Sequence, residues 1–252
     1  MEIPGKKAVI VGGASGMARA SAELLRQHGA AVAILDLPGS AGAEVAASLG
    51  GTFHPVDITD EAAAEAAIAA AVQALGGLHI AVNTAGGGSA HRTLTRQGPH
   101  PLELFRATIE LNLVGTFNLN RLQAFHMSGN EPEDDERGVI INTSSIAAFE
   151  GQIGQVAYTA AKAGIAGMTL TMARDLGSLG IRVLSIAPSL FSTGLTAQLP
   201  EGLAEQLIRD APFPRRMGRP AEYARLAVAI VENPMLNGSC IRLDAAQRFA
   251  PK

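Results

Sequence analysis

The chain has no tryptophan, one cysteine and two tyrosines, and aromatic residues make up only 4% of its 252 positions. The single cysteine, Cys240, excludes an intrachain disulfide and any metal site built from several thiolates. It suits a reducing compartment. No apolar run reaches the length of a membrane span, so no membrane partner is expected. Excess charge of one sign is also missing. Twenty basic and 23 acidic residues leave a net charge of −3, which offers no basis for binding nucleic acid or an anionic surface. The six histidines (His28, His54, His79, His91, His100 and His126) are scattered without H-x-H or H-E-x-x-H spacing, so no metal is expected. Lysine is the last scarcity. Lys6, Lys7 and Lys252 sit at the two ends, and Lys162 is the only lysine in the interior, where every other basic residue apart from histidine is arginine.

What is present is a core. Hydrophobic residues make up 47% and charged residues 17%, the balance of a globular chain long enough to bury a large interior. MEIPGKKAVIVGG enters a strand-like run within a few residues, which leaves no room for a cleavable leader, and a cytoplasmic location is the expectation. KAVIV (7–11), the turn GGASG, the helical run MARASAELLRQHG and the apolar AAVAILDL (30–37) form a strand, a glycine turn, a helix and a second strand. The alternation continues. Strands are expected at 51–58, 78–87, 138–148, 181–189 and 239–244, with helices at 61–75, 102–125, 157–177 and 221–232. Residues 86–101 and 128–138 read as loops. No linker divides the chain, so residues 1–252 are expected to form a single α/β domain, a doubly wound parallel sheet with helices on both faces.

Three places carry chemistry. Gly12 and Gly16 fall at the first strand-to-helix turn, where a bare backbone can approach a pyrophosphate and the helix N-terminus offers unpaired N–H groups. A glycine turn alone is often only a turn. Here Asp36 closes the second strand twenty residues after Gly16, placed to accept hydrogen bonds from ribose hydroxyls and to repel a 2′-phosphate, which favours NAD over NADP. Next, Tyr158 and Lys162 are four apart on an expected helix and share a face. A phenol ionises near pH 10, and a nearby ammonium favours the phenolate. Finally, Ser145 ends an expected parallel strand in INTSS, at the edge where open α/β sheets bind ligands. It reads equally as a helix cap.

V-G-G-A-S-G, N-T-A-G, Ser145, Y-x-x-x-K and P-S-L-F-S-T together resemble the short-chain dehydrogenase/reductase family across essentially the whole chain. GVIINTSSIAAFEGQIGQVAY, NEPEDDERG and PFPRRMGRPAEYA are similar to one branch of it, the type-2 3-hydroxyacyl-CoA (type-10 17β-hydroxysteroid) dehydrogenases. The resemblance implies a Rossmann-type fold and a catalytic set of Asn112, Ser145, Tyr158 and Lys162. Tyr158 would be the acid–base, Ser145 would polarise the substrate oxygen, Lys162 would lower the phenol and hold a ribose, and Asn112 would anchor a water. It implies NAD contacts at Gly12, Ser15, Gly16, Met17, Asp36, Asp57, Ile58, Thr84, Ala85, Gly86, Tyr158, Lys162, Pro188, Phe191 and Thr193. Gln152 and Gln155 join Ser145 and Tyr158 in the implied substrate pocket, and a homotetramer is implied as well.

The chain departs from the family pattern at Val11 (usually threonine), Ala18 (usually glycine) and Ser189 (usually glycine), all expected beside the cofactor. Residues 189–217 are expected to close over the substrate, although their apolar residues serve a core equally well. The leading functional expectation is an NAD-dependent dehydrogenase of 3-hydroxyacyl-CoA. The alternatives are another alcohol, steroid or ketoacyl-carrier dehydrogenase, or a cofactor-binding scaffold without turnover.

Overall fold

The computed structural model describes residues 1–88, 90–193, 208 and 211–250. Lys7–Val11 (β1), Ala31–Asp36 (β2) and Thr52–Pro55 (β3) alternate with Gly16–Gln27 (α1) and Gly42–Ser48 (α2). Glu61–Leu75 (α3) leads to Ile80–Asn83 (β4), and a small hairpin, Leu94–Thr95 (β5) with Gly98–Pro99 (β6), follows. Then come Leu102–Ile109 (α4), Gly115–Ser128 (α5), Gly138–Thr143 (β7), Val156–Leu176 (α6), Ile181–Pro188 (β8), Pro220–Glu232 (α7) and Cys240–Leu243 (β9). Seven strands form one parallel sheet in the order β3-β2-β1-β4-β7-β8-β9, the expected doubly wound α/β architecture.

The strands read as apolar runs because both faces are covered. Ile10, Ile34, Val82, Ile141 and Leu184 face a layer built from α1, α2 and α7. Their neighbours Val9, Leu35, Ala81, Ile140 and Val183 face α3, α5 and α6. The two-residue period of the strand sorts one run into two cores. Local chemistry sets the helix ends. Asp60 accepts the Ala63 amide at 3.0 Å to start α3, and Gly76, at φ 71°, ends it in the left-handed conformation. Pro220 opens α7, where the Arg219 amide donates to Glu222 at 2.7 Å.

The strand expected over 138–148 ends at Thr143 and gives way to a helical turn at Ile146–Ala148, and three further features differ from the sequence expectation. The single helix expected over 102–125 is interrupted by one π-helical stretch, Glu110–Val114, and from the first turn of α5 the Thr116 hydroxyl donates back to the Asn112 carbonyl at 2.6 Å. Helix α2 was not expected. It is seven residues long and opens on a glycine, Gly42, packed against the Phe53 ring with no room for a Cβ. The expected loop 86–101 contains the β5–β6 hairpin. Of the segment expected to close over the substrate, 194–207 and 209–210 lie outside the described residues.

Candidate active site

Strand order reverses between β1 and β4, and a cleft of about 460 Å³ opens at the carboxyl ends of the strands there. Two glycines shape its near wall. Gly12 has φ 81°, and a Cβ there would meet Thr84 Oγ1 at 2.8 Å and the Ala85 amide nitrogen at 2.9 Å. Gly16 has φ 55°, with Thr193 at 3.1 Å from the position of its missing Cβ. The first turn of α1 carries no acidic residue and the Ser15 side chain makes no cap bond, which leaves N–H groups of that turn open to the cleft. Asp36 stands beside it. One carboxylate oxygen accepts the Ala14 amide at 2.9 Å and the other accepts the Leu37 amide at 2.8 Å, which orients the group along the wall. Asp57 accepts the amide and hydroxyl of Thr59 at 3.0 and 2.8 Å, and these bonds hold its carboxyl below the usual range.

On the far wall β7 ends and α6 begins. Ser145 lines the same wall as the Tyr158 phenol and favours its ionised form, while its Oγ accepts the Ala147 amide at 3.1 Å. The serine caps the short helical turn Ile146–Ala148 from a place on the cleft wall. The Lys162 ammonium lies over the Tyr158 ring, 5.6 Å from its centroid, and donates to the Thr143 carbonyl at 2.8 Å. The electrostatics differ from expectation. Burial pushes Tyr158 up, and the Ser145 hydroxyl pulls it back only in part. Burial likewise holds Lys162 down, to about 8. In the protein alone, desolvation outweighs the expected effect of the ammonium on the phenol.

The cleft brings together Gly12, Ser15, Gly16, Met17, Asp36, Asp57, Ile58, Thr84, Ala85, Gly86, Ser145, Tyr158, Lys162, Pro188, Phe191 and Thr193. Three of the expected residues are elsewhere. Asn112 is fully buried behind the wall, where its amide accepts the Gly87 N–H at 3.1 Å and donates to the Gly87 carbonyl at 2.6 Å and the Thr108 carbonyl at 2.9 Å. Its side chain fixes the backbone that lines the cleft, and the π-helical turn aims it there. Gln152 and Gln155 bond each other within their loop, at 3.1 Å, and Gln152 reaches the Ala250 carbonyl at 3.3 Å, so neither lines the cleft. Of the departures from the family pattern, Ala18 packs in the core with α1 and does not line the cleft. Ser189 lines it without a positive φ, so its backbone does not require glycine. Val11 lines it and receives the Thr84 amide on its carbonyl at 3.0 Å.

Sequence reasoning missed Leu37, Val56, Leu111, Thr143, Ser144 and Leu190, which also line the cleft. Thr143 and Ser144 stand in the quoted INTSS run and could have been read with Ser145. Leu111 reaches the cleft from the π-helical turn, which carries no sequence signal.

The short chain dehydrogenase family pattern matches residues 6–204. The 3-hydroxyacyl-CoA dehydrogenase type-2 of Homo sapiens is 51% identical over 254 residues, spanning 99% of this chain and 97% of that protein. Its namesake in Drosophila melanogaster is 50% identical over 248 residues, spanning 96% and 97%. The crystal structure of 3-hydroxyacyl-CoA dehydrogenase type-2 from Mycobacterium avium superposes with a TM-score of 0.94 at 43% identity, covering 98% of both chains. With a matching family pattern over most of its length and relatives sharing about half its residues end to end, the chain belongs to the short-chain dehydrogenase family, oxidoreductases that act on CH–OH groups with a nicotinamide nucleotide.

Proposed function

We propose that the protein oxidises the secondary alcohol of 3-hydroxyacyl-CoA thioesters to the ketone, with NAD as cofactor. The observation that carries the chemistry is the meeting of Ser145, Tyr158 and Lys162 on one cleft wall, with the Lys162 ammonium over the phenol ring. The choice of substrate rests on the names of relatives that share about half of this sequence.

The residues present fit a dinucleotide. A Cβ at Gly12 or Gly16 would fill the cradle, the α1 N-terminus has no acidic neighbour in its first turn, and the Asp36 carboxylate suits the free ribose hydroxyls of NAD better than a 2′-phosphate. Bound NAD supplies the hydride acceptor. Tyr158 accepts the proton of the alcohol as general base, Ser145 orients the substrate oxygen, and Lys162 supplies the positive charge beside the phenol and a donor for a ribose. Asn112 secures the Gly86–Gly87 turn that lines the pocket. Gln152 and Gln155, outside the cleft itself, sit in the loop before α6 to meet the part of a substrate that extends past it.

The reading includes one domain over 1–252 whose segment 189–217 covers the substrate, a homotetramer and a cytoplasmic location. Among the described residues no helix is long and apolar enough to cross a membrane, and no cluster of metal-ligating groups occurs. The deciding experiment is steady-state kinetics on 3-hydroxyacyl-CoA thioesters of graded length, with NAD and NADP, beside simple and steroidal alcohols. NADH formation with a preference for the thioesters is expected. Preference for another alcohol would transfer the function to that substrate, and tight NAD binding without any turnover would make the protein a scaffold.

A further inference from the structure

Tyr223, the other of the two tyrosines, has no part in this chemistry, yet it is fully buried on α7. A buried phenol needs a partner, and its Oη lies 2.7 Å from Thr143 Oγ1. The direction of this bond follows from counting hydrogens. The Thr143 hydroxyl has one proton, which it donates to the Asn83 carbonyl at 2.8 Å, so Tyr223 is the donor to Thr143. The carbonyl of the same threonine accepts the Lys162 ammonium at 2.8 Å. Tyr223 belongs to the core layer of α1, α2 and α7, whereas Lys162 stands on α6, which packs on the opposite face. The line Tyr223–Thr143–Lys162 therefore crosses the sheet at the end of β7. One residue on, the Ser144 hydroxyl donates to the main-chain carbonyl of Lys162 at 2.8 Å, a second tie between the strand end and the helix.

Among the described residues the Thr143 carbonyl is the one hydrogen-bond acceptor for the ammonium. From α6 it faces the Tyr158 ring, and across the Gly86 position it faces the Asn112 amide oxygen. Burial alone moves Lys162, with no charged side chain contributing. Cys240 on β9, its thiol pushed up by burial, is directed at Ser185 and Ser144.

We propose that Tyr223 is a positioning residue for Lys162: its O–H holds the end of β7 from the far side of the sheet, so that the Thr143 carbonyl stays on the ammonium. The inference rests on the catalytic reading of Lys162 for its consequence, but its test does not depend on turnover. The chain has only four lysines, so NMR of Cε-labelled lysine follows Lys162 directly in the intact protein. In the wild type it should titrate near 8. Tyr223→Phe preserves the packed volume and should lower that titration by roughly half a unit or more, and kcat for alcohol oxidation roughly two- to tenfold, the worth of one ordinary hydrogen bond. Thr143→Ala, which removes the acceptor, should move it the same way, and Thr143→Ser should restore it. Ile230→Val, a cavity elsewhere in α7, should lower thermal stability and leave the titration in place. An unmoved Lys162 in folded Tyr223→Phe, or in Thr143→Ala should the first variant not fold, overturns the proposal, as does an equal shift in Ile230→Val. If the titrations behave as expected and the wild type oxidises no alcohol, the catalytic reading fails and the positioning role stands.

Discussion

Lys162 shows how burial and function pull in opposite directions on one side chain. Its folded-state value of about 8 lies below the 10.5 of a free lysine, so between these values the unfolded chain binds more protons and stability rises with pH. Tyr158 acts the other way, because its raised value lets the unfolded chain lose that proton first, above pH 10. The window is therefore read from about pH 8 to about 9.5, where urea titrations should show the wild type gaining about 2 kcal/mol relative to Lys162→Met. A parallel pH dependence in the two proteins would mean the lysine is not buried as a charge. Tyr158→Phe should lower alcohol oxidation by roughly 10²–10⁴-fold, the usual contribution of a general base, with nicotinamide nucleotide binding retained in a fluorescence titration. Asp36→Asn keeps the shape of the carboxylate and removes its charge. The ratio of kcat/KM for NAD to that for NADP should fall by roughly tenfold, as a charge-assisted hydrogen bond and a like-charge repulsion disappear together.

Among the elements, the π-helical stretch between α4 and α5 has the clearest consequence. Its extra residue per turn directs Asn112 at both the N–H and the carbonyl of Gly87, and Leu111 into the cleft. The turn after β4 has no slack against it. A Cβ at Gly86 would lie 2.6 Å from Asn112 Oδ1 and 3.3 Å from Lys162 Nζ. Gly86→Ala should therefore cost about 1–3 kcal/mol as an overpacked site and weaken nucleotide binding as well, measurable by chemical denaturation and by titration. The helical period across 102–125 was legible, as was the Tyr158–Lys162 spacing, because both follow from the 3.6-residue turn of a helix. The break at residue 110 was not, since the side-chain bond that supports it, Thr116 to the Asn112 carbonyl, looks in sequence like any other polar pair.

Across the whole molecule, Arg182 on β8 ties the sheet to α7. Its guanidinium donates to the carbonyls of Ile230, Val231 and Leu236 at 2.8, 2.9 and 2.8 Å, where α7 ends, and to Glu136 at 2.7 Å, with both side chains almost wholly buried. Glu136→Gln leaves that buried cation without its counter-charge. The loss should be about 3 kcal/mol of stability in urea denaturation, with kcat unchanged at 25 °C, because the pair lies far along β8 from the strand end that carries Pro188. At the other end of β8, beside Ala187, Arg242 pairs with Glu150 through bonds of 2.8 and 2.9 Å and stacks on Phe149, so the last strand steadies the loop of Gln152 and Gln155.

By itself the sequence determined the alternation of strands and helices, the glycine turn with Asp36 behind it, and the pairing of Tyr158 with Lys162. Each is a pattern of near neighbours, where geometry follows from backbone period and residue chemistry. Only the tertiary structure decided that Tyr223 meets Thr143 across 80 residues, that Asn112 supports the cleft from behind, and that burial leaves the phenol above its usual range and the ammonium below it. Desolvation and long-range hydrogen bonds depend on what surrounds a group in space, and the order of residues along the chain does not encode those surroundings locally.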